Sequence, residues 1–171
     1  MKSYKILCTG NPNKVTIASG VRKIFPDADF IHLSNGYDLR LWDDERITKF
    51  VEKLQNYNVF INASYICHLG QYHLLNCVND NWIGKVINIG SRAETDGNLQ
   101  GTYHIEKNAL LMRSMQIRKR KAVRSHHITA PGLNDGKPGH EHWLPMIEVA
   151  KIIKTILDSD VYIPHITIDS K

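Results

Sequence analysis

Tyr4-Lys5-Ile6-Leu7-Cys8-Thr9-Gly10 is the stretch whose reading decides the fold. An apolar run that stops at Thr9-Gly10 reads as a short strand buried on both faces. The turn Asn11-Pro12-Asn13 follows, and from 14 to 25 the apolar residues Val15, Ala18, Val21, Ile24 and Phe25 return at helical spacing. Asn13 is placed to cap that helix and Pro26 to end it. A buried strand that feeds a helix through a short turn is how a parallel sheet begins, if the pattern repeats downstream.

The pattern repeats to the end of the chain. Residues 30–33 read as a strand, and after Ser34-Asn35-Gly36 the residues Ile47, Phe50, Val51 and Leu54 share one face of a helix over 43–54, with Asp43 or Asp44 as its cap. A continuous apolar strand over 58–63 leads into a helical stretch over 65–78. Lys85-Val86-Ile87-Asn88-Ile89-Gly90-Ser91 is the next strand, followed by a helix from 102 to about 119 and a strand over 124–130 stopped by Pro131-Gly132. A helix over 145–157, opened by Pro145, and a strand over 162–168 close the order. Strands buried on both faces and separated by helices require right-handed crossovers, so the expected fold is a doubly wound, Rossmann-like α/β domain with helices on both faces of a parallel sheet. With 171 residues, 42% hydrophobic and 23% charged, the whole of 1–171 fits one such domain.

Composition narrows the function classes. The stretch 54–79 lacks Asp, Glu, Lys and Arg but is broken throughout by Asn, Gln, His and Ser, which excludes a membrane span. The N-terminal apolar segment is too short for a signal peptide, and the reading places the protein in the cytoplasm. Cys8, Cys67 and Cys77 are odd in number, lack metal-ligand spacing and read as reduced, buried thiols. Part of the net charge of +5 is the run Arg118-Lys119-Arg120-Lys121 with Arg124, which reads as a solvated helix end. No aromatic stacking motif accompanies it, so nucleic-acid binding is disfavoured. His140-Glu141-His142 and His126-His127 lack the further partners a metal site needs, and no metal is assigned. His140, His142 and Trp143 read as a loop over the site or as ordinary surface residues.

In a doubly wound sheet, ligands bind outside the carboxyl ends of the strands. Here those ends are Thr9-Gly10, Asn62-Ala63, Ser91 and Pro131-Gly132. Beside Ser91, the helix that follows carries Tyr103 and Lys107, four apart and therefore on one face. A phenol with an ordinary pKa near 10 exchanges protons near neutrality only if its ionised form is stabilised, and an adjacent ammonium does that. Ser91 would offer a hydroxyl to the same substrate oxygen.

These landmarks, in this order, resemble the short-chain dehydrogenase/reductases across almost the whole chain. The resemblance implies a nicotinamide enzyme that interconverts a small carbonyl and alcohol, with Tyr103 as proton donor or acceptor. Lys107 would lower the Tyr103 pKa and hold the nicotinamide ribose, and Ser91 would orient the substrate oxygen. Gly10, Asn11, Lys14, Val15, Asn62, Ala63, Pro131, Gly132 and Leu133, together with Tyr103 and Lys107, would line the cofactor. It also implies a homo-oligomer, a dimer or tetramer, in keeping with the surplus of apolar residues at Leu110, Leu111, Met112 and Met115.

The departures from the family pattern are specific. Lys14 and Thr16 stand where its first turn carries glycines, so either Lys14 offers the phosphates a charge and Thr16 a hydroxyl, or cofactor affinity has been lost and Lys14 is a surface residue. The alternative to an enzyme is therefore a catalytically silent module that binds a nucleotide or a protein. Ser34 after the second strand is neither the acid expected for NAD nor an arginine for NADP, and Lys14 tilts the choice to NADP. The chain is short for the family: only a turn joins Leu33 to Asp38-Leu39, and Cys67 falls where the family has a helical asparagine.

Overall fold

The computed structural model describes residues 3–40, 43–95, 101–117 and 122–169. The basic run over 118–121 lies outside them. Five crossovers alternate with six parallel strands: β1 (Ile6–Thr9), α1 (Ile17–Ile24), β2 (Asp29–Ile31), α2 (Asp44–Leu54), β3 (Val59–Asn62), α3 (Gly70–Asn81), β4 (Gly84–Ile89), α4 (Thr102–Ile117), β5 (Val123–Thr129), α5 (Met146–Asp158) and β8 (His165–Thr167). The sheet order is β2-β1-β3-β4-β5-β8, and every pairing within it is parallel. Two-residue strands β6 (Leu133–Asn134) and β7 (Leu144–Pro145) pair apart from it and pin the loop between β5 and α5.

Side chains alternate across the sheet, as the period of a strand demands. Ile6, Cys8, Val59, Ile61, Ile87 and Ile89 join Val21, Val149 and Ile153 in a core under α1 and α5. Leu7, Phe60 and Val86 join Phe50, Leu74, Leu75 and Leu110 in a second core under α2, α3 and α4. This is a doubly wound α/β sheet covered on both faces. Among the described residues, no helix is long and apolar enough to cross a membrane.

Several boundaries move, each for a local reason. α1 starts at Ile17, capped by Thr16 rather than Asn13, because Thr16 holds the extended backbone that a cap requires (φ −145°, ψ 168°). α3 starts at Gly70 instead of near Tyr65, because His68 and Leu69 take left-handed backbone (φ 59° and 60°) and interrupt the helical ladder. Asp43 caps α2 as expected, accepting from the Arg46 amide. The cysteines are free, yet only Cys8 is fully buried; Cys77 is half-buried at the margin of the second core and Cys67 half-buried on the wall of the cleft described below.

Candidate active site

From β1 the chain runs outward to β2 and then crosses back to β3 on the other side, so the sheet reverses direction between β1 and β3. The crevice of a doubly wound sheet opens at such a reversal. At the carboxyl ends of those strands lies an open cleft of about 470 Å³, whose walls include Gly10, Asn11, Lys14, His32, Arg40 and Ser64. A second hollow of about 300 Å³ continues from it along Ser64 and Tyr65, and is lined by Val15, Ala63, Leu133 and Met146. Gly10 shapes the floor. Its φ is +123°, and a Cβ there would lie 2.7 Å from Ser64 Oγ.

The loop from Asn11 to Thr16 is closed on itself. The Thr16 hydroxyl donates to the Asn11 carbonyl at 3.0 Å, and the Asn13 amide donates to Asn11 Oδ1 at 2.9 Å. Lys14 is exposed at the lip of the cleft. One turn after Thr16, Gly20 lets α1 close on the start of α5: a Cβ there would lie 2.5 Å from the Met146 carbonyl. Opposite, Arg40 is forked onto Asp38 by two hydrogen bonds of 2.8 Å, and that contact holds the Asp38 carboxyl down to about 2.

Tyr103 and Lys107 do lie on one face of α4. The Tyr103 ring, 37% exposed, meets Tyr65 edge to face at 4.9 Å between centroids, and Tyr65 lines both hollows. Lys107 is buried beneath them, with Nζ 5.8 Å from the Tyr103 ring centre and 5.9 Å from that of Tyr65. Nζ donates to Gln71 Oε1 at 2.6 Å and to the Ile89 carbonyl at 2.9 Å. Burial is the largest influence on this ammonium and brings its pKa down to about 8, against the pull of Glu94 and Glu106. Ser91 begins the turn after β4, half-buried, its Oγ accepting from the Ala93 amide at 3.3 Å.

Other expected cofactor residues occupy different positions. The Asn62 side chain points into the interior, donating to the Gln71 carbonyl at 2.9 Å and to Asn88 Oδ1 at 3.1 Å. Only its neighbour Ala63 reaches a hollow. Pro131 is buried; Gly132 packs under Trp143, on whose ring His140 stacks at 3.6 Å. His140 also bonds Asp135 at 2.7 Å, so this pair serves the loop's packing. No group of three or more metal-ligating side chains gathers among the described residues.

No family model matches the sequence, and no curated protein matches it. Solved structures do match the backbone. The chain superposes with a TM-score of 0.73 on a short-chain dehydrogenase/reductase from Vibrio parahaemolyticus, over 97% of this chain and 99% of that one, at 15% identity. It superposes at 0.71 on a short-chain dehydrogenase from Burkholderia cenocepacia in complex with NADP, over 96% and 88% of the two chains, at 10% identity. An NAD+-bound xylitol dehydrogenase gives 0.70 over 98% of each chain at 13% identity. The fold is that of the short-chain dehydrogenase/reductases.

Within this short-chain dehydrogenase fold, four residues near the site escaped the sequence reading. Gln71 receives Lys107, where Cys67 had been aligned; Cys67 precedes α3 and faces the first cleft instead. Tyr65 and Arg40 carried no spacing signal. Glu94 did: Ser91-Arg92-Ala93-Glu94 has capping-box spacing, and Ser91 and Glu94 do bond each other across that turn.

Proposed function

We propose that this protein is an NAD(P)-dependent oxidoreductase that interconverts a small carbonyl and alcohol, with Tyr103 passing the proton. The observation that carries this reading is the buried Lys107 ammonium 5.8 Å from the Tyr103 ring, at the carboxyl end of a sheet whose crevice has room for an elongated ligand. Two contiguous hollows, a glycine floor that a Cβ would fill and an exposed lysine at the lip fit a dinucleotide phosphate. Gly10, Asn11 and Lys14 would hold its phosphates, and Val15, Ala63 and Leu133 its nicotinamide half. When bound, that group supplies or accepts the hydride.

The rest of the work belongs to the chain's own residues. Tyr103 gives its hydroxyl proton to the substrate oxygen in reduction and takes it back in oxidation. Lys107 stabilises the phenolate by its charge, and its anchorage on Gln71 and Ile89 holds that charge still. Ser91 orients the substrate oxygen. Lys14 and Arg40 on the walls of the first cleft favour NADP over NAD, since a terminal phosphate monoester gains from each cation.

Lys14 and Thr16 in place of glycines are the observation that favours the second reading, a silent nucleotide-binding module. Titration of tryptophan fluorescence with NADPH and NADH, followed by a screen of small carbonyl substrates, tests both. Trp143 packs on Gly132 and should report binding. Binding with turnover supports the enzyme, binding without turnover the silent module, and no binding removes both. A homo-oligomer is part of the proposal, because Ile105 and Met112 on α4 are each 56% exposed; a monomer mass in light scattering would remove that part.

A further inference from the structure

Glu94 lies only 2% exposed beneath the turn that carries Ser91, a costly place for a carboxylate. Each side-chain partner it has is a donor. The Ser91 amide donates to Oε2 at 3.2 Å, His127 Nε2 lies 3.0 Å from Oε1, and the Thr129 hydroxyl also donates to Oε1. His127 Nδ1 is buried, and among the described residues no hydrogen-bond partner reaches it. A neutral ring with its proton on Nε2 leaves only a bare acceptor at Nδ1, whereas a protonated ring would strand a buried N–H. Thr129, whose hydroxyl donates to Glu94, accepts from His165 Nε2 at 2.8 Å. The donors of the cluster converge on the Glu94 carboxyl group.

Lys107 lies across the end of β4 from it: its Nζ bonds the Ile89 carbonyl, and Ser91 two residues on bonds Glu94. Gly90 between them is shaped by the carboxylate, since a Cβ there would lie 2.3 Å from both Glu94 Oε2 and His127 Nε2. Arg92, the other nearby cation, is paired at the surface with Asp169. We propose that Glu94 is a positioning residue with two tasks: its Oε2 fixes the Ser91 amide at the end of β4, and its charge is the buried counter-charge of Lys107. What those two tasks mean for catalysis rests on the oxidoreductase reading; the contacts themselves do not. Among the described residues, Glu106 on the lysine's own helix is a second anion that raises the Lys107 pKa, after Glu94. Tyr65 and Tyr103 present ring faces to Nζ and complete its ionisable surroundings.

The test is an NMR titration of Lys107 in the cofactor-free protein, so that a protein which reduced no carbonyl would still pass or fail it. Removing an anion near an ammonium lowers the ammonium's pKa, so Glu94→Gln should move the Lys107 midpoint down by about one pH unit, and Glu106→Gln by less. Glu94→Asp keeps the charge and withdraws the oxygens by one methylene. It should leave the Lys107 midpoint near that of the unmodified protein while shifting the Ser91 amide resonance. If Glu94→Gln does not fold, the Glu94 carboxyl-carbon resonance of the unmodified protein decides: ionised near neutral pH supports the proposal, protonated overturns it. A Lys107 midpoint unmoved by Glu94→Gln, or moved further by Glu106→Gln, also overturns it. In an active enzyme, Glu94→Asp should lower kcat through Ser91 and leave the alkaline limb of the pH profile in place.

Discussion

Lys107 Nζ lies 2.6 Å from Gln71 Oε1, so among the described residues the one side chain that receives this buried ammonium is an uncharged amide from the neighbouring helix. Gln71 is itself fixed, its Nε2 donating to the Asn62 carbonyl at 2.9 Å. Removing either partner strands the other. Gln71→Leu should cost about 1.5–3 kcal/mol, the range for hydrogen bonds to charged groups, and Lys107→Met should also destabilise by leaving Oε1 bare. The double variant removes both polar groups together, so its loss should be well below the sum of the two, by at least about 1 kcal/mol. Urea unfolding of the four proteins measures this, and strict additivity would show that the contact carries no coupling.

Burial of Lys107 also writes itself into stability as a function of pH. The folded value is about 8 against an ordinary 10.5, so between those two values the unfolded chain binds the extra proton. Stability from this group therefore rises as pH increases through that window. The thiols of Cys8 and Cys77, both pushed up by burial, act in the opposite direction once the unfolded thiols begin to ionise near 9. The clean comparison is the unmodified protein against Lys107→Met between about pH 8 and 9. The difference in unfolding free energy should change steadily across that interval in favour of the unmodified protein; a constant difference would mean the lysine is not desolvated.

On the acid side the same sign holds: groups whose pKa burial lowers make stability rise with pH. Burial lowers the pKa of His126, whose Nδ1 lies 2.6 Å from the Ile163 carbonyl, and of His165 at the surface end of the Glu94 cluster. Below the ordinary histidine value of 6.5 the unfolded chain takes up protons first, so stability should fall as pH drops through about 6. Replacing His126 with phenylalanine should flatten part of that slope, as read by thermal unfolding across the acid range.

Much of this architecture was legible because it follows from periodicity. Alternation in β1 sends Ile6 and Cys8 to one core and Leu7 to the other, and the helical stripes of α1, α2 and α5 then have only one way to cover the sheet. Tyr103 and Lys107 share a helix face by spacing alone. What spacing does not carry is contact between distant elements: nothing in the sequence joins Gln71 to Lys107, or His127 and Thr129 to Glu94. Boundaries failed where backbone conformation overrode pattern, as with left-handed His68 and Leu69 ahead of α3. Packing between helices is equally silent in the sequence: Gly20, where α1 closes on α5, carries no spacing signal.

Gly20 gives a direct test of that packing. An added methyl would fall 2.5 Å from the Met146 carbonyl, which is backbone at the start of α5 and cannot rotate away. Gly20→Ala gains helix propensity, about 1 kcal/mol, yet should be destabilised by a net 1–3 kcal/mol, roughly, because α1 must lift from α5. Denaturant unfolding checks it. A neutral or stabilised variant would mean that the two helices separate freely.

Lys14 tests the cofactor assignment at the phosphate end. It is exposed at the lip of the cleft, so Lys14→Ala leaves the fold alone and removes a single charge-assisted contact. NADPH affinity should weaken by about 1–2 kcal/mol, roughly 5- to 30-fold. Arg40→Ala should weaken NADPH more than NADH, because only the former carries the extra phosphate. Equal losses for the two nucleotides would assign Arg40 to Asp38 alone, and unchanged binding would take Lys14 out of the site.

Tyr103 is the sharpest chemical test. Tyr103→Phe keeps the ring against Tyr65 at the 4.9 Å edge-to-face contact and deletes only the hydroxyl, so the fold and the hollows beside it should persist. Cofactor affinity should then barely change while turnover falls by roughly 10² to 10⁴, the range for loss of a positioned acid or base. On the proposed reading Lys107→Met should damage both, because it removes the ammonium beneath the phenol and frees Gln71 and the end of β4 that the ammonium holds. The split separates the two roles: a residue that holds cofactor moves KM, and one that only passes a proton moves kcat. If Tyr103 and Lys107 were an ordinary helix pair, worth a few tenths of a kcal/mol, neither substitution would change nicotinamide binding or reductase turnover. The exposure of Tyr103, at 37%, makes the experiment decisive, since the phenylalanine variant loses no buried hydrogen bond that would confuse a catalytic loss with a folding one.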